Sequence, residues 1–149
     1  MTEQLVILMA EDDDGHAFLV QENLREAGIA NPIIHVRDGQ DALDFIRRAG
    51  AFADRTPSGS LLLLLDLNMP RIGGEEVLRQ LKADPHFDRI PVIVLTTTDD
   101  PREVRRCYEL GCSSYITKPV EYDRFVEAVR RLGLFLSIVQ VPRENDRQG

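Results

Sequence analysis

Five short apolar runs, each followed by a stretch with helical spacing, constrain this chain more than any other feature. The runs are residues 5–10 (LVILMA), 32–36 (PIIHV), 61–65 (LLLLL), 91–95 (PVIVL) and 114–117 (SYIT). Runs of this length suit strands rather than buried helices. Strands that are apolar at nearly every position are covered on both faces, as they are in parallel sheets. The leucine run has no β-branched residue, but it is bracketed by Gly59 and Pro70 and ends on Asp66. Between the runs, Ala17, Val20, Leu24 and Ala27 recur at steps of three and four, with Gly28 as a stop. Asp38 and Gly39 open a second helix carrying Ala42, Leu43 and Ile46, and a third begins near Gly74 with Val77, Leu78 and Leu81 and ends before Pro85. Asp100, Pro101 and Glu103 form a helix start, with Val104, Cys107, Tyr108 and Gly111 as the expected buried face. Phe125, Val126, Val129 and Leu132 mark a last amphipathic helix, while residues 50–60 (GAFADRTPSGS) are expected to form a long surface loop. Strict alternation of this kind predicts an α/β fold, a doubly wound five-stranded parallel sheet with helices on both faces.

Charge and composition exclude several functions. The formal net charge of -7 opposes non-specific binding to nucleic acid, which needs a basic surface. No apolar run approaches a membrane span, and the first residues lack the basic start of a signal peptide, so no membrane is expected and the cytoplasm is the expected compartment. Cys107 and Cys112 match no metal or redox spacing, and Cys107 is expected to be a buried thiol. Residues 1–142 are expected to form one domain and residues 143–149 a disordered polar tail.

Ligands of open parallel sheets bind at the carboxyl ends of the strands. The first run ends in Glu11, Asp12, Asp13 and Asp14, the third in Asp66, the fourth in Thr96, Thr97 and Thr98, and the fifth in Lys118 and Pro119. Carboxylates gathered on one edge repel each other unless a cation neutralises them, and hard oxygen donors suit Mg²⁺. A carboxylate beside Mg²⁺ can attack phosphorus and form an acyl phosphate, with a lysine and a hydroxyl holding the transferred oxygens. Only two of the 18 basic residues are lysines, which favours a specific use for Lys118. Lys82 weakens that argument, because its place on a helix suggests an exposed charge. Asp13 and Asp14 are expected mainly to cap the first helix and face solvent.

The segments ILMAEDD, LLLLLDLNMPRIGGEEVLRQLK, IPVIVLTTT and SYITKPV, in this order and spacing, resemble the receiver domain of bacterial two-component response regulators. The resemblance covers about residues 4–133. It implies a flavodoxin-like (βα)5 fold with Asp66 as phosphoacceptor. It further implies that Asp12 binds Mg²⁺ directly, Glu11 through water, and Asn68 through its backbone carbonyl, with Asp66 completing the set. Thr96 would be the switch hydroxyl, Lys118 the phosphoryl-binding cation, Tyr115 an aromatic switch that turns inward on phosphorylation, and Pro119 the residue holding the bend after Lys118. Met69 and Pro70 would shape the loop over the site, and Gly73 and Gly74 would permit its turn. The Glu at position 11 is a tolerated variation on the family's usual Asp.

The loop at 50–60, the SYITKPV motif and the ending GLFLSIVQVP are similar to single-domain receivers paired with phytochrome-type histidine kinases. The implied function is a single-domain response regulator that takes a phosphoryl group from such a kinase, with no enzymatic activity beyond catalysing its own phosphorylation and dephosphorylation. Leu134, Phe135, Leu136, Ile138, Val139 and Val141 exceed what one amphipathic helix needs, so a homodimer, or a kinase-docking surface, through the fourth and fifth helices and this extension is expected. Two alternatives compete. A Mg²⁺-dependent phosphatase with an aspartate nucleophile wants an acid two residues after Asp66, where Asn68 stands. An interaction module unable to accept phosphate would lack the acceptor, a metal ligand or the lysine, and all are present.

Overall fold

The computed structural model describes residues 5–26, 28–56, 60–118, 123, 124 and 127. Its elements alternate as β1 (Val6–Ala10), α1 (Asp14–Glu26), β2 (Ile33–Val36), α2 (Gly39–Arg47), a 3₁₀ turn (Gly50–Phe52), β3 (Leu61–Leu65), α3 (Gly74–Ala83), β4 (Val92–Thr96), α4 (Pro101–Leu110) and β5 (Ser114–Thr117). The five strands form one parallel sheet in the order β2-β1-β3-β4-β5. The leucine run is therefore the central strand. Leu62 to Leu65 are almost wholly buried, because helices cover both of its faces. Burial of each such side chain stabilises the fold by about 1.5–3 kcal/mol, which outweighs leucine's local preference for helix.

The two faces of the sheet carry different helices. Leu8, Ala10, Leu63, Leu65, Val92 and Val94 pack with the apolar sides of α2 and α3 and with Cys107 of α4. Ile7, Met9, Leu62, Leu64, Ile93, Leu95 and Ile116 pack with Ala17, Val20 and Leu24 of α1. Odd and even strand positions thus serve opposite cores, as the pleat requires. Of the fifth helix only residues 123, 124 and 127 are described, all helical; its expected apolar residues Phe125, Val126, Val129 and Leu132, the C-terminal extension and the polar tail, and with them the extension's share of the expected dimer surface, lie outside the described residues. Among the described residues no helix is long and apolar enough to cross a membrane.

Local signals place the helix ends. Asp38 caps α2 by accepting from the Asp41 N–H at 2.8 Å. Gly28 takes φ +85° behind α1, a conformation that favours glycine. Asp100 caps α4 ahead of Pro101, but its carboxylate accepts from Arg102 at 2.9 Å, while Glu103 faces Arg106 at 3.7 Å and does not close a capping box with it.

Three expectations are sharpened or corrected. The expected surface loop carries local structure within residues 50–56: Gly50–Phe52 makes a 3₁₀ turn, Phe52 meets Phe45 edge to face at 5.2 Å, and Arg55 lies over the Phe45 ring at 4.1 Å. Phe52 is apolar enough to draw the segment back onto the core. Tyr108 is 48% exposed, and α4 buries only Cys107. One residue along a helix turns about 100°, so Tyr108 falls at the rim, where its hydroxyl accepts from the Tyr115 N–H at 3.2 Å. Lys82 is not a free surface charge: its Nζ donates to the carbonyls of Asp88 (2.9 Å) and Ile90 (2.7 Å), tying the end of α3 to the approach of β4.

Candidate functional site

Strand register brings the acidic residues together. Ala10 lies opposite Leu65, so the residues that follow, Glu11 and Asp66, leave β1 and β3 at the same height. Their backbones are fixed there, since the Asp66 N–H donates to Ala10 at 3.0 Å and the Glu11 N–H to Val36 at 3.0 Å. Carboxylate oxygens of Glu11, Asp12 and Asp66 lie within 4.8 Å of one another. Glu11 and Asp66 are buried and Asp12 is exposed. Three hard oxygen donors, one open to water, fit a divalent cation that keeps part of its hydration shell. Asp13 does what a cap does, accepting from the His16 N–H at 3.0 Å, and Asp14 pairs with Arg37 at 2.7 Å on the surface.

Lys118 enters from β5. Its backbone N–H is held by the Thr96 carbonyl at 2.8 Å, and its side chain is only 8% exposed. The Nζ donates to Glu11 Oε1 and lies 3.5 Å from Asp66 Oδ2. One ammonium therefore faces both buried carboxylates. Thr96, at the end of β4, is wholly buried, and among the described residues its Oγ1 is the buried side-chain atom that lacks a hydrogen-bond partner. An unmatched buried hydroxyl costs on the order of 1–3 kcal/mol. Such a cost is tolerated where a further oxygen is to be bound.

Glu11 shows the electrostatic strain of the cluster. Burial, and then its hydrogen bond with Asp66, hold its carboxyl up at about 7 against an ordinary value of 4.5, with Lys118 pulling it down. Between those values the folded chain keeps a proton that the unfolded chain has lost. Its contribution to stability is therefore complete below 4.5 and is lost as pH rises through about 7. A divalent cation needs the ionised carboxylate and reverses the preference. Without metal, the thermal midpoint is expected to fall as pH rises across this window; with Mg²⁺ added, the fall is expected to shrink or vanish. Thermal melts with and without Mg²⁺ at several pH values check this, and a metal effect that does not grow with pH would contradict it.

The loop after β3 is pinned from several sides. The Asn68 N–H lies 3.4 Å from Asp66 Oδ1, and the Gly74 N–H donates to Leu67 at 3.0 Å. Arg71 holds φ +64°, uncommon for a residue with a side chain, and its guanidinium bonds Asp38 through two nitrogens (2.9 and 3.0 Å) and Asp41 at 3.0 Å. The start of α2 thus clamps the loop that carries Asn68, Met69 and Pro70. Tyr115 is already inward: its ring is buried and its hydroxyl donates to Thr98 at 2.6 Å, joining β5 to the segment after β4. Pro119 lies outside the described residues.

Three contributors were not legible as site residues. His16 places Nδ1 3.1 Å from Lys118 Nζ, His35 on β2 bonds the Glu11 carbonyl through Nε2 at 2.7 Å, and Arg71 forms the clamp just described. The only sequence signal for His16 is its position in the first turn of the helix after β1, three residues beyond the capping Asp13.

Comparison with known proteins agrees with this geometry. The sequence pattern of the response regulator receiver domain matches residues 7–130. Response regulator Rcp1 of Synechocystis sp. is 42% identical over 138 residues, 92% of this chain and 92% of that one. The solved structure of Rcp1 in its Mn²⁺-bound form has a TM-score of 0.72 at 36% identity, covering 93% of this chain and 99% of that chain. The bacteriophytochrome response regulator RtBRR has a TM-score of 0.82 at 35% identity, covering 99% of this chain and 88% of that chain. The phosphorylated cyanobacterial phytochrome response regulator RcpA has a TM-score of 0.72 at 33% identity, covering 89% and 93%.

Proposed function

From the premise that this chain belongs to the response regulator receiver domain family, we propose that it is a phosphoacceptor switch in phytochrome-type signalling, with Asp66 taking the phosphoryl group from a sensor histidine kinase. The observation that carries this reading is the meeting of the Glu11, Asp12 and Asp66 carboxylates with the Lys118 ammonium at the ends of β1, β3 and β5. The kinase type rests on relatives described as bacteriophytochrome and phytochrome response regulators.

The residues divide the work. An Asp66 oxygen forms the new P–O bond as the P–N bond of the kinase phosphohistidine breaks, and the electron pair leaves with the imidazole. Mg²⁺, held by Glu11, Asp12 and Asp66 and the Asn68 carbonyl, supplies positive charge beside the transferred group when bound. Lys118 turns a donor from Asp66 toward a phosphoryl oxygen, and the Thr96 hydroxyl donates to another. The Thr96 movement pulls on the segment ending at Thr98, which the Tyr115 hydroxyl grips. A charge change at the strand ends thereby reaches the face formed by α4 and β5. That face, where Tyr108 stands exposed, is our proposed described part of a homodimer contact. We assign the protein to the cytoplasm on the same reading.

Incubation with acetyl phosphate and Mg²⁺ is expected to add one phosphoryl mass, read by intact mass spectrometry. Asp66→Asn is expected to abolish the adduct without unfolding the chain, because asparagine keeps the shape and relieves one buried charge. A persistent adduct in Asp66→Asn would move the acceptor elsewhere, and no adduct in the wild type would sink the reading.

A further inference from the structure

An ammonium carries three N–H donors and no acceptor. Three polar groups surround Lys118 Nζ: Glu11 Oε1, Asp66 Oδ2 at 3.5 Å, and His16 Nδ1 at 3.1 Å. They come from three places, the ends of β1 and β3 and the first turn of α1. The Lys118 side chain is only 8% exposed, so little water reaches it, and His16 fills the third place. The backbone of His16 is itself fixed, because its N–H is bound by the capping carboxylate of Asp13. Glu11 Oε1 also lies 3.6 Å from the same imidazole nitrogen, so ring, ammonium and carboxylate form one compact group.

We propose that His16 is a positioning residue for Lys118: its neutral imidazole, accepting through Nδ1, holds the ammonium in place for the incoming phosphoryl group. This deepens the proposed function and rests on it. For Nδ1 to accept, its lone pair must be free, so the ring proton sits on Nε2. Lysine's four-carbon stem leaves the ammonium free to wander between the two carboxylates, each of which attracts it. An anchor on α1 restricts it to one place beside them. When the donor aimed at Asp66 is given up to a phosphoryl oxygen, Glu11 and His16 retain the other two. The imidazole carries no negative charge in this role, so it directs the cation without adding repulsion toward the phosphoryl group.

Two measurements test this, both on the full chain. Nitrogen-15 NMR of the imidazoles is expected to show His16 as the Nε2–H tautomer, with its Nδ1 resonance moving when Lys118 is replaced by methionine. With acetyl phosphate as donor, which needs no kinase contact, His16→Leu is expected to slow phosphoryl uptake about tenfold, the worth of one hydrogen bond to a charged group. His16→Asn, whose Oδ1 can stand in for Nδ1, is expected to restore most of the rate. Mg²⁺ affinity by calorimetry is expected to stay near wild type in both variants, which separates positioning from a distorted α1. An Nδ1–H tautomer, a wild-type rate in His16→Leu, or no rescue by His16→Asn would overturn the proposal. If the wild type takes no phosphoryl group, the proposed function falls, and the tautomer still decides whether His16 accepts from Lys118.

Discussion

Lys118→Met is expected to slow phosphoryl uptake at Asp66 by about 10²–10³-fold, the range seen when one fixed donor to a developing charge is lost. The reason lies in where the ammonium sits. It is nearly buried, and it faces two buried carboxylates at once. Methionine keeps the apolar stem and removes only the charge. The transferred group then meets Glu11 and Asp66 with less positive charge to offset it. A cost to stability follows, because a buried carboxylate pair is left without its cation. Breaking such a pairing costs roughly 3–5 kcal/mol where both acids stay ionised. That loss should be smaller below the Glu11 midpoint of about 7, where its carboxyl can hold a proton. Removing Lys118 also removes the influence that draws that midpoint down, so the protonated range widens. Urea unfolding below and above this midpoint, together with the time course of the phosphoryl adduct, gives both readings. An unchanged rate would remove Lys118 from the chemistry, and a loss of stability independent of pH would contradict its pairing with Glu11.

Gly74→Ala is expected to carry the largest cost to the fold itself. A Cβ at that position would stand 2.2 Å from the Asp66 carbonyl oxygen and 2.9 Å from Leu67 Cα. Both obstacles are backbone, so no side chain can swing away. The start of α3 and the end of β3 would have to separate, breaking the 3.0 Å bond from the Gly74 N–H to Leu67. Gly39→Ala meets the same problem across the clamp, with its Cβ 2.0 Å from the Ile72 carbonyl oxygen. Each is expected to lose about 3 kcal/mol or more, at or beyond the usual cost of overpacking. Gly73→Ala is the control. Its Cβ would come to 3.3 Å from the Leu67 oxygen, and its φ of −73° suits any residue, so a loss under about 1 kcal/mol is expected. Denaturant midpoints for the three variants check the ranking. Because Gly74 abuts the residue that bears the acceptor, its variant should also lose phosphoryl uptake while still partly folded.

Much of this was open to inspection in the chain. The period of the apolar residues distinguished strands from helices, and the cap residues Asp38 and Asp100 marked where helices begin. The acids and the lysine that meet at the site stand just after strands and Thr96 ends one, which is why their joint placement could be read. The misses share another character. Tyr108 lies one step around the helix from Cys107, and periodicity places such a residue only to within a turn's width. Lys82 looked like a surface charge because nothing in its neighbourhood on the chain announced the carbonyls of Asp88 and Ile90. Phe52 sat among turn-forming residues, and its contact with Phe45 reaches back into an earlier helix.

The sequence by itself determined the alternation of elements, the buried faces of α1 to α3 and the residues standing at each strand end, because these follow from local periodicity and from caps within a few residues. Tertiary structure alone decided which of those residues touch. The order β2-β1-β3-β4-β5 and the register of Ala10 beside Leu65 set Glu11 against Asp66. The same packing carries Lys118 across from β5, brings His16 onto its ammonium from α1, and lets Arg71 clamp the acceptor loop to α2. Those contacts join groups 30 to 107 residues apart, and at such separations no periodic signal reports distance; only the closed sheet and the close backbone approach at Gly39 and Gly74 fix it.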